Sequence, residues 1–523
     1  MTKKTQSIEG VAASLGLEAV DTSDAIREVY FSILRSTYRY FNEDELQTIK
    51  ELQAKNAEEL TEAEKEKLNE HNARVNINKK IEAAFKNATG GQEWIEDRAK
   101  ILSTMLVGPP GHGKTTVFKV AAKKAAEDLG MRFLINPTED VSIGLNDFVF
   151  TSLEFSGENS KMELSGLPMK GMVQGQEAMT HLNNWRLGCL PMAGAGLLLL
   201  DDFTNATSNI QNIGLSITDE KRYQGLNLKN VTVGLTGNLG AALDGTNTSN
   251  ASTALGSRVK TSFIRDNLKD FTIRVQNQYQ DELGDLGLLG FLNNNEQLFA
   301  QLPDARTKGG FPCPRAWDNF ILDVRRLVQE VGGREHAMNA LTRIATSAGQ
   351  LLGQEVKQGV RTYIHAMLTS ADPLARKVIF EGDVDIKELE KRYNTGFSAE
   401  EQHFAFQYTQ SMAQYAVTRI VNEKGDMTKA VTNFVEGISI IDSTSLAAAI
   451  DTFANNLAMR VPQYSTANTN GTRSLTLEAK KEIASIMSKT KKIDAERAEV
   501  ITQALSNADK YEATHSRNRT RRS

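Results

Sequence analysis

ILSTMLVGPPGHGKTTVFKVAAKKAAEDL, Ile101 to Leu129, is the stretch on which the fold turns. Its apolar start, Ile101–Val107, is bounded by glycine and proline, as expected of a strand buried on both faces. Gly108–Thr115 (GPPGHGKT) fits the pattern GxxxxGK[ST], and Thr116–Leu129 reads as a helix. Glycines let the backbone curl so that successive N–H groups point inward at a phosphate. The helix that follows adds its positive end. Lys114 supplies a mobile ammonium for the β- and γ-phosphates of a nucleotide, and the Thr115 hydroxyl can ligate Mg²⁺. The expected binding residues are Gly108, Pro109, Pro110, Gly111, His112, Gly113, Lys114, Thr115 and Thr116. His112 occupies a variable position of the pattern and is expected to be incidental to it.

Working outward, Met131–Asn136, Gly196–Leu200 and Asn230–Leu235 repeat the buried-strand signature, with helical segments between. Strands alternating with helices predict an α/β fold, a parallel sheet with helices on both faces. The second half of a phosphate site is an acidic residue at a neighbouring strand end. Leu197–Leu200 followed by Asp201 and Asp202 meets that need. Asp201 is expected to hold Mg²⁺, and Asp202 to polarise the attacking water.

LLLLDDFTNA resembles the acidic-strand block of the MoxR-like AAA+ ATPases, relatives of the dynein-type modules. Further blocks of that family follow in order. NVTVGLTGN places Asn238 at the sensor 1 position, STALGSRVK puts Arg258 at that of a trans-acting arginine finger, and PCPRAWDNF makes Arg315 the sensor 2 arginine. Arg222 and Arg265 are rival candidates for the finger. The resemblance covers about residues 78–380. It implies a P-loop AAA+ module with a helical lid, ATP bound between them with Mg²⁺, and hydrolysis in a homo-oligomeric ring, a hexamer. Asp202, Asn238, Arg258 and Arg315 would be its catalytic residues, and Thr115 and Asp201 its metal ligands. By the same resemblance the ring remodels a protein client, with a separate von Willebrand A domain protein as a possible partner. Tailed bacteriophages encode ATPases of similar appearance. One departure concerns chemistry: the family has Glu where this chain has Asp202. LSGLP, Leu164–Pro168, lacks the second glycine and the glutamine of the ABC-transporter signature and is set aside.

Lys114 and Asp201 lie 87 positions apart (201 − 114), room for an insertion. It contains SGLPMKGMVQGQ, Ser165–Gln176, read as a glycine-punctuated loop. In the family this region faces the channel of the ring, so Met169–Val173 are expected either to contact the client or to form a plain surface loop. Beyond Asp266 strands are expected to stop and helices to take over, with Val461–Ser474 as a linker and a last helix over about 475–507. The expected domains are a helical one (1–97), the nucleotide-binding one (98–265), a helical lid (266–380) and a helical C-terminal one with a basic tail (381–523).

Of the 523 residues, 40% are hydrophobic and 24% charged, which suits a folded soluble protein. The net charge of −4 gives no overall reason to expect nucleic acid or an anionic membrane as partner. Lys489, Lys491, Lys492, Arg517, Arg519, Arg521 and Arg522 keep a nucleic-acid motor or loader open as an alternative. A second alternative is an ATP-gated assembly protein, with heptad-like positions in 404–420 and 431–441 serving contacts. Cys189 and Cys313 are too few for a disulfide framework and suit a reducing compartment. The apolar run Gly194–Leu200 is far shorter than the ~20 residues of a membrane helix. MTKKTQSIEG has charge with no apolar core behind it, unlike a secretory signal. A cytoplasmic protein is expected, in the host cytoplasm if phage-encoded.

Overall fold

A computed structural model describes residues 11–12, 14–56, 59–95, 101–155, 167–173, 176–182, 184–223, 226–240, 243–244, 246, 257–279, 286–303, 309–382, 404–424, 426–439, 443–467, 473–489, 499–501, 503 and 505. The chain forms two compact units, Met1–Asn267 with Leu302–Thr307, and Leu268–Gln301 with Lys308–Ser523.

The first unit is built on a seven-stranded sheet. Its strands are β1 (Ala19–Asp21), β2 (Ser103–Val107), β3 (Arg132–Ile135), β4 (Asp147–Glu154), β7 (Ala195–Asp201), β10 (Val231–Gly237) and β11 (Val259–Arg265). They lie in the order β1-β11-β2-β10-β7-β4-β3, and every neighbouring pair is parallel. Between β4 and β7 the chain forms an antiparallel hairpin, β5 (Leu167–Val173) and β6 (Gln176–Leu182), and β8 (Arg222–Tyr223) pairs with β9 (Leu226–Asn227).

The apolar run of β7 shows why the central strands read as they do. Leu197 and Leu199 pack with Phe118, Ala121, Ala122 and Ala125 of the helix Lys114–Asp128, while Leu198 and Leu200 pack with Phe203, Ile210 and Ile217 on the opposite face. Successive side chains of a strand point to opposite faces, so a strand covered on both sides needs an unbroken apolar run. The covering helices of the first core are α1 (Thr22–Thr37), α3 (Glu62–Ala88) and α4 (Lys114–Asp128). Before α3, α2 (Glu43–Ala54) and α3 itself open on capping boxes, Asn42 with Glu45 and Thr61 with Glu64. Ile210 and Ile217 belong to α5 (Ser208–Glu220).

Several expectations change. Residues up to 97 do not stand apart from the sheet: β1 is its edge, and Ala25, Val29, Tyr30, Ile33, Leu34, Ile77 and Ile81 share a core with Leu106 and Phe118. Buried Arg74 of α3 also donates to the Gly194 carbonyl at 2.7 Å. The Ser165–Gln176 loop is, over its described residues, the β5–β6 hairpin, with Met169 half-exposed. The linker Val461–Ser474 contains a 3₁₀ turn, Pro462–Tyr464, and the strands Ser465–Ala467 and Arg473–Leu475, so strands do not stop at Asp266.

In the second unit the longer helices are α6 (Leu268–Gln278), α7 (Pro314–Glu330), α8 (Leu341–Leu351), α9 (Gln354–Ala366), α10 (Asp372–Glu381), α11 (Phe404–Asn422), α12 (Thr428–Ile438), α13 (Ser443–Arg460) and α14 (Leu477–Ser488), with a short helix at Leu288–Asn294. They enclose two apolar clusters, one from Phe271 to Met367 and one from Ala371 to Leu505. A π-helical turn, Met367–Ala371, separates the clusters along the chain, and α10 packs into the later one. No helix among the described residues is long and apolar enough to cross a membrane. Both cysteines are buried as free thiols, and burial pushes the Cys189 thiol up, as suits a small core residue rather than a nucleophile.

Candidate active site

Parallel strands end together, and open sheets bind ligands beyond those carboxyl ends. Here β10 lies between β2, which leads into GPPGHGKT, and the acidic strand β7. Its register sets Gly237 beside Val107 and Leu235 beside Leu200. Residues just past the end of β10 therefore sit between the glycine loop and the aspartates.

Gly111 (φ +85°) and Gly113 (φ +74°) occupy the left-handed region, where a side chain would strain the backbone. Gly113 caps α4, so the helix's free N–H groups open toward the loop. The Lys114 ammonium is buried; it donates to the Gly108 carbonyl (2.8 Å), the Pro109 carbonyl (2.9 Å) and Asn238 Oδ1 (2.9 Å). Pro109 is buried, Pro110 partly so, and Thr116 is exposed on the first turn of α4.

Thr115 Oγ1 lies 3.0 Å from both Asp201 Oδ1 and Asp201 Oδ2. Asp202 leaves the strand in the left-handed region (φ +51°, ψ +36°), which Asp tolerates better than most residues. Its Oδ1 accepts from Asn238 Nδ2 at 3.2 Å. The Asn238 amide thus turns its oxygen to the ammonium and its nitrogen to a carboxylate, the orientation electrostatics demands. Asn238 in turn donates its backbone N–H to Thr204 Oγ1 at 2.9 Å.

The fold thus joins Lys114, Thr115, Asp201, Asp202 and Asn238 in one network. Its donors suit a magnesium nucleotide: left-handed glycines and a buried ammonium for phosphate, a hydroxyl and a carboxylate for a hard cation. Among the described residues no cluster of three or more His, Cys, Asp or Glu could hold a metal. A Mg²⁺ completed by phosphate oxygens and water needs no such cluster.

The arginines belong to other parts of the chain. Arg258 immediately precedes β11, whose Val259 pairs with Ser103 and whose Phe263 pairs with Val107. At a rise of ~3.3 Å per residue, roughly 17 Å of strand separates it from the P-loop end of the sheet. It is 41% exposed and pairs loosely with Asp219 at 3.4 Å. Arg265, at the opposite end of β11, is held by Asp21 Oδ1 at 2.7 Å through two of its nitrogens. Arg222 is exposed on β8. Arg315 is exposed in the first turn of α7, in the second unit, with no hydrogen bond or ion pair among the described residues. A cation there faces the positive end of a helix, which stability alone does not favour. The basic tail, Lys491, Lys492 and most of the STALGSRVK block lie outside the described residues.

The sequence reading passed over Thr204, Thr236, Asp244 and Asp266. Asp244 is buried and accepts from the Leu239 N–H (2.7 Å) and the Thr246 N–H (3.1 Å), tying down the loop after Asn238. His112 is fully buried, with Nδ1 against the Asp266 carboxylate just past β11. Strand alternation could have flagged Thr236, which shares a strand face with position 238.

Asp202→Glu is expected to raise turnover by about tenfold. The extra methylene advances the carboxylate by roughly a bond length, and a shift of ~1 Å can change rates by up to ~10². Turnover equal to or below wild type in a steady-state phosphate-release assay would show that the shorter side chain is already well placed.

No protein-family model matches the chain, and no curated protein matches it. Among solved structures, it is similar to two variant forms of RuvB from Thermotoga maritima. One is 14% identical, covering 78% of this chain and 94% of that one, with a TM-score of 0.24. The other is 12% identical with the same coverage and a TM-score of 0.19. A likeness at this level adds nothing to the fold, which rests on the sheet and loop described above.

Proposed function

We propose that the chain is a Mg²⁺-dependent ATP hydrolase of the AAA+ class, MoxR-like in kind, that works as a ring-forming homo-oligomer on a protein client. The observation that carries this reading is the network across three strand ends, Lys114–Asn238–Asp202 beside Thr115–Asp201.

In this reading the loop N–H groups and Lys114 hold the phosphates. Thr115 and Asp201 hold the metal, which when bound offsets the charge that accumulates on the phosphate oxygens. Asp202 orients and polarises the attacking water, and Asn238 keeps that carboxylate in register with the ammonium that senses the γ-phosphate. Arg315 is the sensor arginine of the helical second unit. Arg258 serves the site of a neighbouring subunit; its place at the far end of β11, away from its own P-loop, supports action in trans, and its weak pair with Asp219 releases it easily. Cytoplasmic ring assembly and a separate von Willebrand A partner belong to the same reading.

Complementation tests it. Arg258→Ala should still assemble with ATP, seen by light scattering, yet hydrolyse about 10³-fold slower, the lower range for an arginine finger. Lys114→Ala is inactive for a different reason. Mixing the two inactive proteins should recover activity, because an intact P-loop then meets an intact finger. A wild type that stays monomeric with ATP and Mg²⁺, or a mixture that stays inactive, overturns the ring mechanism.

A further inference from the structure

Thr236 is fully buried at the end of β10, two residues before Asn238. Its Oγ1 lies 2.5 Å from Asp201 Oδ1 and 2.7 Å from the Asp202 backbone nitrogen. A hydroxyl has one proton, an ionised carboxylate only accepts, and an N–H only donates. The direction of both bonds is therefore fixed: Thr236 donates to Asp201 and accepts from Asp202.

We propose that Thr236 is the positioning residue that sets the metal-binding aspartate and the water-polarising aspartate at the same time. This rests on the roles proposed above for Asp201 and Asp202. The bond to Asp201 Oδ1 falls in the short, charge-assisted range and locks the rotation of that carboxylate. Oδ1 thereby meets Thr236 as well as Thr115, while Oδ2 meets Thr115. The bond from Asp202 holds that residue in its left-handed conformation, where the chain turns out of the strand and aims the carboxylate at Asn238. The two bonds share one oxygen, so a turn of the Asp202 backbone disturbs Asp201 as well. Thr204 completes the clamp from the other side, by accepting the Asn238 N–H.

Thr236→Val keeps the shape of a buried strand residue and removes the hydroxyl; Thr236→Ser keeps the hydroxyl. Each is compared with wild type by three readouts. These are fluorescent ATP-analogue binding in EDTA, Mn²⁺ binding with nucleotide present by electron paramagnetic resonance, and steady-state hydrolysis. Removal of a group that orients a metal ligand typically costs 10–100-fold in metal affinity or activity. Thr236→Val should bind the analogue in EDTA like wild type, bind Mn²⁺ at least ~10-fold more weakly, and lose about 100-fold in kcat. Thr236→Ser should restore both to within a few-fold. If the valine variant disturbs packing, Thr236→Ala removes the same hydroxyl without adding bulk.

Wild-type metal affinity and kcat in a folded hydroxyl-free variant would overturn the inference. So would loss of analogue binding in EDTA with no rescue by serine, which marks a merely structural residue. A wild type that binds no Mn²⁺ with nucleotide overturns the reading of the whole site. A wild type that binds Mn²⁺ but does not hydrolyse overturns the proposed activity alone, and metal affinity still decides the role of Thr236.

Discussion

A Lys114→Ala variant is expected to bind ATP about 100-fold or more weakly than wild type and to show no measurable turnover. The ammonium is buried and directed by the Gly108 and Pro109 carbonyls and by Asn238, so its position is set before any phosphate arrives. Each hydrogen bond between charged partners contributes about 1.5–3 kcal/mol, and two to phosphate oxygens at the low end give roughly 3 kcal/mol, a factor on the order of 10². Alanine also leaves Asn238 Oδ1 without its cation, which frees the amide that holds Asp202. Turnover should therefore fall further than affinity does. Fluorescent-analogue titration beside a phosphate-release assay separates the two, and affinity within threefold of wild type would remove Lys114 from the phosphate site.

The second large effect is expected at Asp372, in the second unit. Asp372 is buried at the start of α10 and pairs with Arg334 at 2.6 Å. It also accepts from Ser411 Oγ at 2.8 Å and Tyr415 Oη at 2.6 Å. Burial alone would push its carboxyl up, but the Arg334 guanidinium and the two hydroxyls outweigh that and hold it below the ordinary carboxylate range. Removing one member of a buried pair strands the other, at a typical cost of about 3–5 kcal/mol. Asp372→Ala should destabilise the second unit by that order in urea unfolding.

The sign of the pH dependence follows from the direction of the shift. A carboxyl depressed in the folded state adds stability that is fully present above its unfolded value, near 4, and is lost as pH falls through the folded value. Wild type should therefore lose stability as pH drops below about 4, and the alanine variant should lose less over the same interval. Equal slopes for the two proteins would mean that folding does not depress the Asp372 carboxyl. Analogue binding by the first unit should survive the substitution, which keeps this test separate from the one at Lys114.

The parts of the molecule legible in the sequence are those whose chemistry is local. GPPGHGKT carries its own turn geometry, and LLLL before Asp201 declares a strand covered on both faces. Asp147–Glu154 (DFVFTSLE) and Val259–Arg265 (VKTSFIR) are strands of the same sheet, yet their polar and charged ends dilute that signal. Ala19–Asp21 is too short to show any period. The hairpin from Leu167 to Leu182 was masked by its glycines and proline, which read as a loop. Asn238 could be picked out only through the resemblance of its surroundings. The clamp around it depends on register: Thr236 meets Asp201 across 35 positions, and Lys114 meets Asn238 across 124. No window of sequence contains such a contact. The same holds for His112, whose partner Asp266 lies 154 positions later (266 − 112).

The edge strand Ala19–Asp21 has a bearing on how the chain is made. It docks on Val259–Arg265, and Asp21 grips Arg265 across 244 positions. On a ribosome this strand waits for its neighbour while the 244 positions that separate Asp21 from Arg265 are synthesised. Until then the edge of β2 that β11 will occupy is open, and helix α1 covers a sheet that lacks its border. Pairings of such long range are slow to close and leave unpaired edges exposed in the meantime. The sheet is thus complete only once β11 has been made, and removing residues 19–21 would take away a strand of the sheet rather than an appendage.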